Sequence, residues 1–210
     1  MGTRSDRRHH RLVVAATSAA FGALIVGGAA RAQSMEAEAL VNEGRKLMNE
    51  RRWAQACEAF EASNRIKPRT RTLLRLGECR ELNQQLASAW AAYRDALAGA
   101  REPRWRDLAT VKVAELQSQL SYLTVSVSDE SWVEGLMLTY NGKPLEPIFW
   151  NRTLLVDGGD YVIAGRAPGR EEWRTLVHVP VEGARVSVEV PKLEEVRASP
   201  PPPACDACPR

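Results

Sequence analysis

The sequence predicts an α+β protein of two domains, in which antiparallel helical hairpins precede a small all-β domain. Three observations predict it. Apolar residues recur at helical spacing from Met35 to Leu120. After Ser121 the pattern changes to the alternation of short strands, with turn residues between them. Within the helical part, a pattern of small and aromatic residues recurs after 33 residues, which is typical of stacked repeats.

The N-terminal segment, residues 1–32, has the features of an export signal. A charged start precedes the uncharged apolar run Leu12–Ala30, and Ala30-Arg31-Ala32 places small residues where a signal peptidase cuts, before Gln33. We therefore expect an exported protein of the periplasm or cell envelope. The apolar run is long, so the alternative is an uncleaved membrane anchor, and membrane attachment is expected only in that case.

All of the excess positive charge lies in the N-terminal segment, residues 1–32. The formal net charge is +3, but residues 1–32 hold five Arg and one Asp. The remaining chain carries 24 basic and 25 acidic residues. Nucleic-acid binding is therefore not expected, because it requires a clustered basic face.

About five helices are predicted in the helical domain, residues 33–120. The expected ranges are 35–50, 53–66, 71–82, 86–98 and 104–120. The second helix should end before Pro68, since the residue preceding a proline avoids the helical conformation. The apolar side of the last helix is expected to carry Leu108, Val111, Leu116 and Leu120.

Residues 121–193 are predicted to form a small immunoglobulin-like sandwich. Alternation through Leu123, Val125 and Val127 indicates the first strand, and Asn141-Gly142 is a strong signal for a tight hairpin turn. Further strands are expected at 153–156, 160–167, 173–179 and 185–190. The Pro-rich tail, residues 194–210, is expected to be extended and not folded.

The 33-residue repeat has five matched positions. Gly44, Trp53, Ala56, Phe60 and Ser63 correspond to Gly77, Leu86, Ala89, Tyr93 and Ala96. Small residues allow a neighbouring helix to approach closely, and the aromatic ring fills the space beside them. With Pro68 closing the first copy, this spacing resembles the tetratricopeptide repeat, although Ser63 stands where Ala is usual and the second copy lacks the Pro. The resemblance implies repeat packing through Gly44, Trp53, Ala56, Phe60, Gly77, Ala89 and Tyr93.

The same resemblance implies a binding groove. In tetratricopeptide folds the first helix of each repeat lines a concave groove that holds peptides. The matching positions here are Val41, Arg45, Arg71, Leu74 and Glu78. The Lys and Asn set that some members use to bind a terminal carboxylate is lacking. The alternative is a purely structural role, in which the helices pack against the sandwich.

The second half resembles a PEGA-type domain. The features are "LTYNGKPL", "TLLVDGGDYVIAGRAPGREEW" and "HVPVEGARVSVEVPKL", although "DGGDY" replaces the more usual Pro-Gly before the aromatic residue. The arrangement of helical repeats followed by such a domain resembles that of envelope proteins of myxobacteria and their relatives. The resemblance implies a non-catalytic interaction or scaffolding module with an unidentified protein partner.

The sequence indicates no catalytic, cofactor or metal site. After export the chain keeps one His, His178, and its strand neighbours are both Val, so its side chain should face solvent. Asp157, Asp160 and Glu182 are a weak candidate for a divalent-ion site, because turn acids are usually solvated. We expect neither enzymatic activity nor a cofactor.

An envelope carbohydrate-binding protein is the alternative function. Trp132, Trp150 and Trp173 lie in the strand half, where exposed rings would stack on a glycan. Such residues more often fill the core or cover a loop.

Two pairs of cysteines are candidates for disulfides. Cys205 and Cys208 form "CDAC" in the Pro-rich tail, which offers no helix start to activate a thiol, so a disulfide is favoured over a thiol oxidoreductase. Tetratricopeptide packing implies that Cys57 and Cys79 are buried and face neighbouring helices. In an oxidising compartment we expect them to form a disulfide, the alternative being two buried free thiols.

Overall fold

The computed structural model describes residues 21–196, with side chains from Ala30 onward. Within this range, five α-helices precede seven strands in two sheets, which confirms the predicted α+β class. The helices are α1 (Phe21–Asn49), α2 (Trp53–Ile66), α3 (Thr70–Leu82), α4 (Leu86–Gly99) and α5 (Pro103–Gln117). The strands are β1 (Ser121–Val127), β2 (Met137–Tyr140), β3 (Lys143–Leu145), β4 (Thr153–Val156), β5 (Gly159–Arg166), β6 (Trp173–Val179) and β7 (Arg185–Val190). Residues 1–20 and the tail with Cys205 and Cys208 lie outside the described residues.

The helix bounds agree with the prediction except at the two ends of the helical region. The second helix has the predicted bounds, and the third and fourth differ by one residue at one end. The first helix begins at Phe21 instead of Met35, so it continues through the predicted cleavage site before Gln33. The fifth ends at Gln117 instead of Leu120, since the next residues turn into β1. Across residues 21–196, no helix has both the length and the apolarity required to span a membrane.

Two helical hairpins repeat the same close contact between a glycine and an aromatic ring. Gly44 of α1 faces Phe60 of α2, and Gly77 of α3 faces Tyr93 of α4. A Cβ atom would lie 2.7 Å from the Phe60 ring or 2.5 Å from the Tyr93 ring, closer than packed carbon atoms approach. The 33-residue pattern therefore corresponds to one interhelical contact formed twice.

The turns between these helices repeat as well. Arg51 and Gln84 both have positive φ, 58° and 59°. The residue after each donates a backbone hydrogen bond to the last turn of the preceding helix, at 3.0 and 2.8 Å. Ser63, which corresponds to Ala96 in the second copy, is buried and donates a hydrogen bond of 2.8 Å to the Ala37 carbonyl of α1.

The seven strands form two sheets with one core between them. The sheet orders are β4-β1-β7 and β3-β2-β5-β6. Strand β1 pairs antiparallel with β4 and parallel with β7, whereas the second sheet is antiparallel. Asn141 and Gly142 have φ of 46° and 74°, as the predicted tight turn requires. The core contains the fully buried Leu123, Val125 and Ile163.

The sheet domain contacts the start of α4 directly. The Asp157 carboxylate accepts hydrogen bonds from the Ser88 backbone N–H, at 2.9 Å, and from the Ser88 hydroxyl, at 2.6 Å. Gln85, at the N-cap position of α4, supplies no side-chain cap, so a residue of the other domain satisfies this helix end. Val181 packs against the hydrophobic cluster that contains Leu86 and Leu116. The two regions are therefore in direct contact.

Candidate functional site

An open cleft lies between α3 and α5. Its volume is about 380 Å³, and its lining consists of Arg71, Leu74, Arg75, Glu78, Glu81, Tyr93, Trp105, Leu108 and Lys112. All of these residues belong to α3, α4 or α5. The sheet domain contributes none of them, so docking of the two regions leaves the cleft accessible.

The cleft brings together three of the five residues predicted for the partner groove. Arg71, Leu74 and Glu78 line it. Val41 and Arg45 do not. Val41 is partly buried against the cluster formed mainly by the first two helices, and Arg45 is exposed on α1. The concave surface is therefore built by α3 and α5, without these two residues of α1.

Sequence reasoning missed the contribution of α5 to this cleft. Trp105 and Lys112 were not predicted to lie there, and Leu108 was expected on the apolar packing side with Val111. Instead, Leu108 and Val111 are 43% and 52% exposed, and Leu108 lines the cleft. The 33-residue register, continued onto α5, gives no signal for these residues, because it maps the predicted groove positions onto Arg104, Asp107 and Val111, and none of these lines the cleft.

Arginines surround the Trp105 end of the cleft. The Arg71 and Arg104 guanidinium carbons lie 5.8 and 4.4 Å from the Trp105 ring centre, within the range of cation–π attraction. A second cavity of about 430 Å³ shares Arg71 and Trp105 and is also lined by Arg69 and Arg101. The two cavities therefore meet at a tryptophan with basic neighbours.

Paired charges occupy the opposite end. Lys112 Nζ lies 3.2 Å from carboxylate oxygens of both Glu81 and Glu115. Burial lowers the pKa of Lys112, but hydrogen bonds to Glu115 and Glu81 raise it more, so the net shift is upward. Burial, together with Glu81, raises the pKa of Tyr93. Lys112 is therefore charged and Tyr93 protonated at neutral pH, and the Lys112–Glu81 pair joins the two walls.

A disulfide anchors one wall of the cleft. Cys57 of α2 and Cys79 of α3 are bonded, with Cα atoms 5.5 Å apart. Both are buried, as the repeat resemblance implied. The predicted Cys57–Cys79 pairing is thus confirmed, and it fixes α3 to the first hairpin.

His178 and the three candidate metal-ligating residues of the sheet domain do not converge on one site. His178 is 72% exposed on its side chain, as predicted for a solvent-facing residue, and its Nδ1 lies 2.7 Å from Asp160 Oδ1. Asp157 bonds to Ser88, and Glu182 is exposed. In residues 21–196 no group of three or more His, Cys, Asp or Glu side chains is arranged to hold a metal ion.

The three tryptophans of the sheet domain differ in exposure. Trp150 donates a hydrogen bond of 2.8 Å to the Leu145 carbonyl, and it packs with Trp173 against the sandwich core. Trp132 is 58% exposed. Of these three, Trp132 alone has most of its surface available to a ligand.

Fold and cleft together define an α+β protein with an N-terminal helical region, a disulfide and a C-terminal two-sheet domain. Comparison with known proteins adds no family to this description, since no protein-family model matches the chain and no curated protein is significantly similar to it.

Proposed function

We propose that this chain is a non-catalytic, exported module of the bacterial envelope that binds or scaffolds another protein. It would combine tetratricopeptide-like hairpins with a PEGA-like domain. The open cleft between α3 and α5 carries the proposal, because a partner segment would fit there without displacing the sheet domain.

The chemistry of the cleft suits a peptide segment. Leu74 and Leu108 offer apolar contact, while Trp105 and Arg71 are of the residue types that contribute most to binding energy at interfaces. Tyr93 contributes to the lining between them. A groove with apolar anchors and charged neighbours supports recognition of a side-chain pattern.

The surroundings of the cleft favour preorganised binding. The disulfide holds α3 to the first hairpin, and the Lys112–Glu81 pair joins α3 to α5. The Asp157–Ser88 contact braces α4 from the sheet domain. A site held in its binding geometry loses less entropy when a partner docks. The sheet domain thus acts as a support in this proposal.

Export is supported by the N-terminal sequence and by the disulfide. Residues 1–32 have the order of a signal segment, and structural disulfides persist mainly in oxidising compartments. Mass analysis of the N-terminus of the mature protein should find Gln33. Retention of residues 1–32 together with pelleting in membranes would show that the segment is an anchor.

Site-specific photocrosslinking in the producing cells tests the interaction. A photoreactive amino acid replaces Leu108 in the cleft or, as a matched control, Val111, which is exposed on the same helix outside the cleft. We expect a discrete protein adduct from position 108 and little from position 111. Equal labelling from both positions, or none from 108, would contradict docking in the cleft.

A third photoreactive position tests the alternative. Trp132 is the exposed aromatic residue of the sheet domain, and a glycan-binding sandwich would give adducts with cell-wall glycan from position 132 and none from position 108.

A further inference from the structure

We propose that the cleft selects an acidic segment with an apolar residue close to its carboxylate, and that the carboxylate lies at the Trp105 end. This inference rests on the proposed function and names the class of partner segment that the same site would take. It follows from the uneven distribution of charge along the cleft.

The Trp105 end has an excess of basic side chains. Arg69, Arg71 and Arg101 line the cavity at this end, with Glu102 as its one acidic lining residue. Arg69 is already paired with a carboxylate of α1, at 2.7 Å. Glu102 is paired with Arg104, also at 2.7 Å.

Two of these arginines retain the capacity to bind an anion. Within residues 30–196, Arg71 and Arg101 have no carboxylate at ion-pair distance. Guanidinium groups bind carboxylates through paired hydrogen bonds. The contact of Arg71 with the Trp105 face restricts its side chain while leaving those donors free. A carboxylate is therefore the group that this end of the cleft fits.

An apolar position lies one helical turn further along. Leu74 follows Arg71 by three residues, a rise of about 4.5 Å along α3, and Leu108 lines the opposite wall. An extended peptide advances about 3.3 Å per residue. The apolar side chain of the ligand is therefore one or two residues away from its acidic residue.

The charges at the far end of the cleft determine the orientation of the bound peptide. Glu78 and Glu81 line it, and each is paired with a basic side chain of the protein. Glu115 adds a further negative charge beside Lys112. This end therefore has no excess positive charge, and an acidic ligand residue placed there would be repelled. The ligand carboxylates are confined to the Trp105 end.

Fluorescence anisotropy with short, end-capped synthetic peptides tests the inference on the full-length oxidised protein. One labelled peptide carries two glutamates followed by a leucine, a second replaces the glutamates with lysines, and a third replaces the leucine with glycine. We expect the first to bind, its affinity to fall with added salt, and the other two to bind at least about threefold more weakly.

Arg71→Gln is the matched variant, because this side chain is exposed and its replacement should not disturb the fold. This substitution should lower the affinity for the acidic peptide about three- to tenfold. The control is Arg94→Gln, which removes an arginine over Trp90 (4.8 Å from the ring centre) outside the cleft and should leave the affinity unchanged.

Two results would overturn the inference. One is equal or tighter binding of the lysine peptide, and the other is the absence of any binding by the glutamate peptide. Either would leave the crosslink at position 108 intact if the proposed function holds, whereas loss of that crosslink would reject the proposed function itself.

Discussion

The helical region and the sheet domain bury their apolar side chains in different arrangements. The sheet domain has one continuous cluster of buried side chains between two sheets. The helical region has two smaller clusters, one around Phe60 and the other around Tyr93, and a disulfide between its hairpins. Short repeat arrays bury little area per unit and depend on their neighbours. The helical region, whose core is divided into two clusters, is also the region that contains the open cleft.

The largest expected effect comes from removing a ring at a glycine contact. Phe60 is fully buried against Gly44, so Phe60→Ala should lower the free energy of unfolding by about 3–5 kcal/mol. Phe149→Ala in the sheet domain is the control, since this ring is 45% exposed and its loss should cost less than about 1 kcal/mol. Urea denaturation followed by circular dichroism measures both. Similar losses would show that the glycine–aromatic contact is not central to the helical region.

Loss of the disulfide should destabilise the helical region selectively. The bond closes a loop with a sequence separation of 22, which corresponds to about 3 kcal/mol in the entropy model. We expect Cys57→Ala/Cys79→Ala to lower the stability of the helices by about this amount.

Two measurements control this result. The stability of the double variant should not respond to a reductant, whereas that of the oxidised protein should fall. Non-reducing peptide mapping of protein isolated from the producing cells should recover Cys57 and Cys79 in one linked species, and alkylation of both without prior reduction would contradict the bond.

Substitutions at Asp157 and Ser88 test how far the contact between the two regions stabilises the protein. Asp157→Ala removes a cap from α4 and should cost about 1 kcal/mol. With Ser88→Ala the two losses should be non-additive by about 0.5 kcal/mol or more. Asp160→Ala is the control, because it disrupts only an exposed contact with His178, and its effect should be near zero. Strict additivity of the Asp157 and Ser88 losses would mean that the contact does not couple the regions.

The smallest expected effect is a stabilisation at the repeated turns. Arg51 and Gln84 have positive φ without being glycine, so Arg51→Gly or Gln84→Gly should raise stability by about 0.5–1 kcal/mol. Asn141 in the sheet domain also has positive φ, but its Oδ1 accepts a hydrogen bond from the Val162 N–H, at 2.8 Å. Asn141→Gly should therefore give no gain. Thermal unfolding of the three variants compares them, and a gain at Asn141 alone would contradict this explanation.

The sequence predicted local structure better than it predicted the site. Helical spacing, Pro68 and the Asn141-Gly142 turn act within a few residues, so they indicated the elements closely. The register of 33 residues identified the contact between Gly77 and Tyr93 because that contact recurs. Asp157 shows the limit, because a turn carboxylate gives no local sign that it will cap a helix in another domain.

The cleft illustrates the same limit. Arg71 and Leu74 were found through a repeat pattern. Trp105 was missed because α5 has Thr110 at the position where both copies of the pattern have glycine. Val41 was placed in the groove by that pattern, yet it packs against the core of the first hairpin. Which face of a helix remains open depends on its neighbours in space, and periodicity does not encode that.

Hydroxyl-radical footprinting of the protein in its producing cells and after purification compares the two regions most directly. Trp105 and Leu108 report on the cleft, and the exposed Trp132 reports on the sheet domain. If the helical region carries the interaction, Trp105 and Leu108 will be oxidised less in cells than in the purified protein, while Trp132 will be oxidised equally in both. Protection of Trp132 with no change at Trp105 and Leu108 would contradict the account and make the sheet domain the binding surface.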